Sequence, residues 1–442
     1  MNSYQALREG LARRLPDGLT LLSGGRYVPR NHDVDYVFRQ KSDFLYLTGV
    51  EEPDCLLLLD PVRRRQTLFL PRIDNHHRVW LGHVPDAREA RGLYGFSRVM
   101  YTDQLPQALR QARGGYRKAY ADEAAYKAAG AALRLPNRPA ALRDALDELR
   151  ACKTPAEVER IQRASLVSGQ AHRRLMAAAR AGLREYQIQA IFEAHCLDAG
   201  LKHLAYPSIV AAGANAAVLH YQANNAELKD GELLLVDAGA EDKGYAADIT
   251  RTFPVNGRFS RRQRDVYSIV LETQKRCIDA ARAGVSSVDL HILSMTIIAE
   301  GLKSLGLLQG ETEGLVENGA VRLFYPHGLT HMLGLDVHDV AGGKKRVIPN
   351  PFKIALRFVA KLEPGFVITM EPGIYFIAAL LKDPKLRRKH RGSVNFAKAE
   401  TFLDFGGVRI EDDILVRPHG PPLDLTDVPK EIADVEAACR RG

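Results

Sequence analysis

Apolar residues along this chain fall into two patterns: short runs closed by turn-forming residues, and longer stretches where they recur every three or four positions. Together these mark an α/β protein. Leu19 to Leu22, Cys55 to Leu59 and Thr67 to Leu70 read as strands, and Asp103 to Ala112 and Ala121 to Leu133 as helices. A fresh start is written at Thr154, where Thr-Pro-Ala-Glu supplies a cap, a proline at the first helical position and a glutamate closing a capping box. Val158, Ile161, Ala164, Ala171, Leu175 and Ala178 follow at helical spacing and give one apolar stripe. The domain boundary therefore falls just before this helix, dividing the chain into an N-terminal α/β domain over 1–153 and a second domain over 154–442.

A second helix carries Ile188, Ile191 and Phe192 and stops at Gly200. After a β-rich stretch, Ser260 with Gln263 opens a third helix that ends near Gly284, and Ser287 begins a fourth with Leu290, Ile297, Ile298 and Leu302. Another β-rich region is expected from about Val321 to Val416. The order helix, helix, strands thus recurs, which predicts a duplicated α/β unit of sheet plus covering helices.

In the first β-rich stretch, Leu233 to Val236 form a buried strand that ends on Asp237. Turn residues Glu241 to Gly244 follow, and the segment from Tyr245 to Phe253 returns with Asp248 inside it. Paired as a hairpin, Asp237 and Asp248 can face each other across the ladder. Carboxylates held that close resist burial unless a cation lies between them; the ordinary alternative is a pair of solvated turn aspartates.

Composition narrows the function classes. At 442 residues the chain favours two domains, and 46% hydrophobic with 26% charged residues is ordinary for a soluble globular protein. The net charge of +9 is scattered, and its densest cluster, Lys382 to Arg391, reads as a solvated loop in a polar insertion. Nucleic-acid binding is not indicated. Five widely spaced cysteines without a CxxC pair suit a reducing compartment. No stretch approaches the ~20 apolar residues of a membrane span or a signal-peptide core, so the expectation is a cytoplasmic protein with no membrane partner.

Three further stretches bring ligand-type residues to the edges of apolar runs. Pro326-His327-Gly328-Leu329-Thr330-His331 continues to His338 and Asp339, placing three histidines within twelve positions, without the glutamate of a zinc-protease HExxH. Phe366 to Met370 delivers Glu371 to the end of a strand, and Glu411 sits in the alternating Val408 to Ile414, where it could equally pair with Arg409. Four carboxylates and an imidazole, with no thiolate, form a hard donor set suited to two divalent ions such as Mn, Co or Zn. Such a pair would hold a bridging hydroxide and polarise a carbonyl for hydrolysis.

At these residues the sequence resembles the pita-bread metallopeptidases, the family of methionine aminopeptidase, aminopeptidase P and prolidase. The resemblance rests on DAGAEDKGYAADITRTFP, PHGLTHMLGLDVHD, MEPGIYF and FGGVRIEDD. It implies that Asp237, Asp248, His331, Glu371 and Glu411 bind two metal ions, Mn(2+) first among them. It also implies that His220, His327 and His338 surround the substrate, with Glu371 as proton shuttle. VDYVFRQKSDFLYLTGVEEP resembles the N-terminal domain shared by aminopeptidase P and the larger prolidases.

Within the family, the GIYF continuation, the insertion after it and FGGVRIEDD look more like prolidase, which implies cleavage of Xaa-Pro dipeptides. Arg357 matches the arginine that prolidases aim at the proline carboxylate, a role for which a planar, bidentate guanidinium is well suited. His220 would share that contact, Tyr206 would line the ring pocket, and Arg409 would serve the same site by orienting a ligand carboxylate. Trp80, the only tryptophan, matches a prolidase residue reaching the neighbouring subunit's site, which implies a homodimer. Thr330 stands where prolidases commonly have glycine. The alternative activity is aminopeptidase P, releasing the first residue of longer peptides with proline second. A metal-free binding module on this fold is the remote alternative, although every ligand position here carries a coordinating residue.

Overall fold

The computed structural model describes residues 3–343, 346–350 and 356–440. The chain divides into two compact units, residues 1–150 with 342–345, and residues 151–341 with 346–442.

In the first unit, strands β1 (Leu19–Ser23), β2 (Leu56–Asp60), β3 (Arg65–Leu70), β4 (Arg98–Tyr101) and β5 (Ala119–Ala121) form one sheet in the order β4-β3-β2-β1-β5. The β1–β2 and β2–β3 pairs are antiparallel, and β1–β5 and β3–β4 are parallel. Leu57 is as buried as Leu56 and Leu58, so both faces are covered, which is why the apolar run does not alternate. Leu19, Leu21, Leu56, Leu58 and Phe69 pack against α1 (Leu105–Ala112) and α2 (Glu123–Leu133). Helix α2 starts two residues later than expected because Asp122 stays outside as its cap, accepting from the Ala125 N–H.

The second unit opens with α3 (Pro155–Ala178), and Thr154 and Glu157 form the reciprocal capping box. Helix α4 (Glu185–Asp198) crosses it, and the sheet β8-β7-β6 follows, built from β6 (Ile209–Ala212), β7 (Leu233–Asp237) and β8 (Thr250–Pro254), all antiparallel. Helix α5 (Arg261–Ala280) is boxed by Ser260 and Gln263. Helix α6 (Ser287–Ser304) begins at Ser287 as expected, and the Ser286 hydroxyl caps it by accepting from the N–H groups of Val288 and Asp289. The second set of strands comprises β9 (Val367–Met370), β10 (Gly373–Tyr375), β11 (Gly407–Arg409) and β12 (Asp412–Leu415). Strands β9 and β12 pair antiparallel, as do β10 and β11, and a bridge between Thr250 and Glu411 ties the two strand sets together.

The region from 321 to 416 is less strand-rich than its apolar content predicts. Leu329, Met332 and Leu333 are buried in an extended segment that hydrogen-bonds alongside β9, with a single bridge between Met332 and Ile368, but does not form a full strand. The basic cluster forms a helix, Pro384–His390, capped by Asp383, where a loop was expected. Ile354 and Ala355, upstream of Arg357, lie outside the described residues. Among the described residues no helix is long and apolar enough to cross a membrane.

Candidate active site

The β7–β8 hairpin does form, but its register sets Thr250, not Asp248, opposite Asp237. The chain leaves the ladder after Asp237: the Ala238 N–H donates to the Ile249 carbonyl, and residues 240–242 pair instead with 245–246 and 203–204. This bend requires Gly239, since a Cβ there would sit 1.8 Å from the Ala247 carbonyl oxygen. Asp248 therefore lies on the bend beside Asp237, and the Tyr206 hydroxyl is 2.6 Å from a carboxylate oxygen of each.

His331 and Glu371 meet because the loop from Leu329 to Leu333 runs along β9. The Thr369 N–H donates to the His331 carbonyl, the Glu371 N–H to that of Leu329, and the Leu333 N–H to that of Val367. His331 Nδ1 donates to the Met332 carbonyl at 3.0 Å. That bond leaves Nε2 facing inward, 3.4 Å from Asp248 Oδ2 and 3.5 Å from Glu371 Oε1, the tautomer an imidazole ligand needs. Glu411 comes in through its bridge to Thr250, whose hydroxyl donates to Glu411 Oε2 at 2.6 Å. Donor atoms of Asp248, His331 and Glu411 all lie within 4.8 Å of one another, and all three side chains are buried.

The cavity around them, about 340 Å³, is lined by all five proposed ligands and by His220, His327, His338, Tyr206, Arg357 and Arg409. Trp80 belongs to the first unit, exposed on the helix Asn75–Leu81. Arg409 is buried and fully engaged: its guanidinium donates to Asp237 Oδ2 at 2.5 Å, to the Tyr375 hydroxyl at 2.9 Å and to Thr250 Oγ1 at 3.1 Å. Its donors are directed at Asp237, Tyr375 and Thr250, so it meets the cavity with little free hydrogen-bonding capacity. His327 is likewise occupied on both nitrogens. Its Nδ1 donates to the Gly328 carbonyl at 2.8 Å, so its Nε2 accepts from the Tyr375 hydroxyl at 2.9 Å. Arg357 is exposed at the cavity and donates to His338 Nδ1 at 3.2 Å, which leaves His338 Nε2 as the protonated nitrogen.

The electrostatics reflect four carboxylates sharing one desolvated space. Burial raises the carboxyl pKa of Asp248 and Glu411, and neighbouring carboxylates push them further up. Glu371 rises to about 7 through burial, with the charge on His331 opposing it and the charge on Asp248 adding to it. Burial alone would lower His331, but its bond to Asp248 and the charges of Glu371 and Asp248 outweigh this and carry it to about 9. His338 falls to about 4, through burial and then the charges of His331 and Arg357. Carboxylates packed this tightly either hold protons or share cations, so hard divalent ions fit the donor set present.

Two participants carried no assigned role in the sequence. Tyr375 joins His327 to Arg409, and Thr250 joins Arg409 to Glu411. Both are polar groups inside buried strands, a pattern that flags a needed partner without naming it. Tyr206, expected to line the pocket for the proline ring, does line the cavity, and its hydroxyl in addition engages Asp237 and Asp248.

This pocket, at the meeting of two strand sets with four carboxylates and one inward imidazole, defines a metal-dependent hydrolase of the pita-bread type. Residues 159–418 match metallopeptidase family M24 and residues 4–120 match the N-terminal domain of aminopeptidase P. The chain belongs to metallopeptidase family M24, with an aminopeptidase P N-terminal domain preceding a pita-bread domain. It is 38% identical over 405 residues to a probable Xaa-Pro aminopeptidase of Botryotinia fuckeliana, covering 90% of this chain and 87% of that protein. It is 34% identical over 442 residues to the Xaa-Pro dipeptidase of Homo sapiens, covering 96% and 88%. Among solved structures, zinc-substituted E. coli aminopeptidase P in complex with product superposes with a TM-score of 0.86 at 32% identity, covering 99% of this chain and 97% of that one. Pseudomonas aeruginosa aminopeptidase PepP gives 0.86 at 35% identity, with coverage of 99% and 97%.

Proposed function

We propose that the protein is an Xaa-Pro dipeptidase, hydrolysing the bond before a C-terminal proline. The observation that carries this reading is Arg357, a guanidinium at the cavity with no carboxylate paired to it among the described residues, next to His338 and near the carboxylate cluster. A dipeptide places its proline carboxylate within a few ångströms of the scissile bond, where such a cation is needed.

Asp237, Asp248, His331, Glu371 and Glu411 would hold two divalent ions, with Mn(2+) expected and Co(2+) or Zn(2+) also suited to this donor set. When bound, such ions activate water at neutral pH and polarise a carbonyl. The side chains supply the rest. Glu371, which lines the cavity, can take a proton from the attacking water and release it to the proline nitrogen, which must be protonated to leave. His338, its Nδ1 occupied by Arg357, keeps Nε2–H available as a donor to the developing oxyanion. Arg357 and His220 hold the proline carboxylate. Arg409 and Tyr206 keep Asp237 in place, and Tyr206 also lines the pocket that would receive substrate. An Xaa-Pro amide has no N–H to be recognised, so a site that works through the carbonyl and the leaving nitrogen suits it. A homodimer with Trp80 near the partner's site belongs to the same proposal.

The second reading is an Xaa-Pro aminopeptidase acting on longer peptides. It is supported by the N-terminal domain match and by the solved aminopeptidase P structures. Comparing Ala-Pro with an Ala-Pro-Xaa tripeptide separates the two. On the dipeptidase reading, Arg357→Met lowers kcat/KM for Ala-Pro by about 10- to 100-fold, the worth of a charge-assisted contact of ~1.5–3 kcal/mol, and lowers tripeptide turnover much less. Equal losses on both substrates, or a wild-type preference for the tripeptide, would favour the aminopeptidase.

A further inference from the structure

A second cavity of about 320 Å³ lies in the same unit and shares no lining residue with the first. One wall carries Arg322, from the 3-10 turn Ala320–Leu323, and the other carries Lys389 and His390, from the helix Pro384–His390. Leu323 and Leu386 supply apolar surface between them, and Glu317 stands at an exposed edge.

Lys389 and His390 would suit the end of their helix without any ligand, through the helix dipole. Arg322 has no such reason to be there. It is half-buried, its Nε is enclosed without a hydrogen-bond acceptor, and among the described residues no carboxylate pairs with it. The guanidinium nonetheless lines the cavity without a paired carboxylate among the described residues, and an anion entering there would meet an uncompensated cation across from Lys389. Burial lowers the pKa of His390, so the wall offers two cations and a neutral imidazole. With the carboxylate of Glu317 subtracted, the net charge is close to one positive unit, which matches a monoanion better than a dianion. The leucines match an aliphatic body.

We infer that this cavity binds a small aliphatic monocarboxylate, with its carboxylate on Arg322 and Lys389 and its hydrocarbon part on Leu323 and Leu386. The inference does not depend on whether the peptidase prefers dipeptides or longer substrates.

The test is calorimetric titration of the metal-loaded full-length protein with isobutyrate, acetate and inorganic phosphate, run on wild type and on Arg357→Met, Arg322→Met and Lys389→Met. Isobutyrate is expected to bind wild type and Arg357→Met alike, more tightly than acetate or phosphate, and at least tenfold more weakly to Arg322→Met. Peptidase activity of Arg322→Met should match wild type, showing that it folds. If it does not, the exposed Lys389→Met carries the test, with a several-fold loss expected. Absence of isobutyrate binding, binding unchanged by both variants, binding lost in Arg357→Met, or phosphate bound more tightly than isobutyrate would each overturn the assignment.

Discussion

Replacing Arg409 by methionine keeps the volume of a buried side chain and removes its charge. In the wild type this guanidinium and His331 are the cations that oppose Asp237, Asp248, Glu371 and Glu411. Removing one partner of a buried ion pair typically costs about 3–5 kcal/mol, because the other charge is left without compensation. An independent bound comes from protonation. A carboxylate escapes by taking a proton, at about 1.4 kcal/mol for each pH unit above ~4, so the loss at pH 7 is capped near 4 kcal/mol. The two figures agree, and either is a large part of a typical ~5–15 kcal/mol domain stability. Urea unfolding of the metal-free variant should therefore show a loss of about 3–4 kcal/mol at pH 7, shrinking to roughly 1–2 kcal/mol at pH 5 as protons substitute for the missing cation. Metal affinity should fall about 10- to 100-fold, because Asp237 loses the group that orients it. Arg409→Lys should recover much of the stability and little of the affinity, since an ammonium cannot span Asp237, Tyr375 and Thr250 together. Wild-type stability and metal affinity in Arg409→Met would refute this account of the cluster.

Three further outcomes are expected. Glu371→Gln should reduce peptidase activity at least 1,000-fold while circular dichroism stays unchanged, and an active variant would remove Glu371 from proton transfer. In EDTA, stability should decline as pH rises. Glu371, raised in the fold to about 7, binds its proton more tightly than in the unfolded chain, so its contribution is lost between about 4.5 and 7. That of His331, raised to about 9, is present below about 6.5 and lost through 9. Each is on the order of 3 kcal/mol, and urea midpoints at pH 5, 7 and 9 that stay flat or rise would contradict both. Gly239→Ala forces a methyl group to within 1.8 Å of the Ala247 carbonyl, so the bend must open. Unfolding midpoints should show a loss of ~1–3 kcal/mol, with metal-dependent activity largely gone, and a fully active variant would show the bend to be dispensable.

What could be read in advance follows the range of the interactions. Thr154 and Ser260 announce their helices because a capping box closes within four residues. The strand carrying Asp237 is visible because four consecutive apolar residues lead to a carboxylate. Its register with Asp248 is not, because it depends on the excursion at Gly239 and on a Tyr206 hydroxyl far away in the chain. The same holds for Tyr375, which acquires meaning only when His327 and Arg409 fold against it. The β-rich expectation for 321–416 is only partly met, because the segment holding Leu329, Met332 and Leu333 pairs with β9 through one bridge and scattered backbone bonds, a distinction that hydrophobicity does not record. Each of these differences involves information shared between distant segments.

The pairing of His327 with Gly328 and Tyr375 bears on which ions the enzyme will accept. With that ring tied off, a metal centre held by the proposed ligands would draw a single nitrogen and otherwise oxygen, and oxygen donors rank the first-row divalent ions less steeply than nitrogen or sulfur does. Occupancy would then track supply: preparations from manganese-rich and zinc-rich cultures should carry different metals on the same unchanged polypeptide.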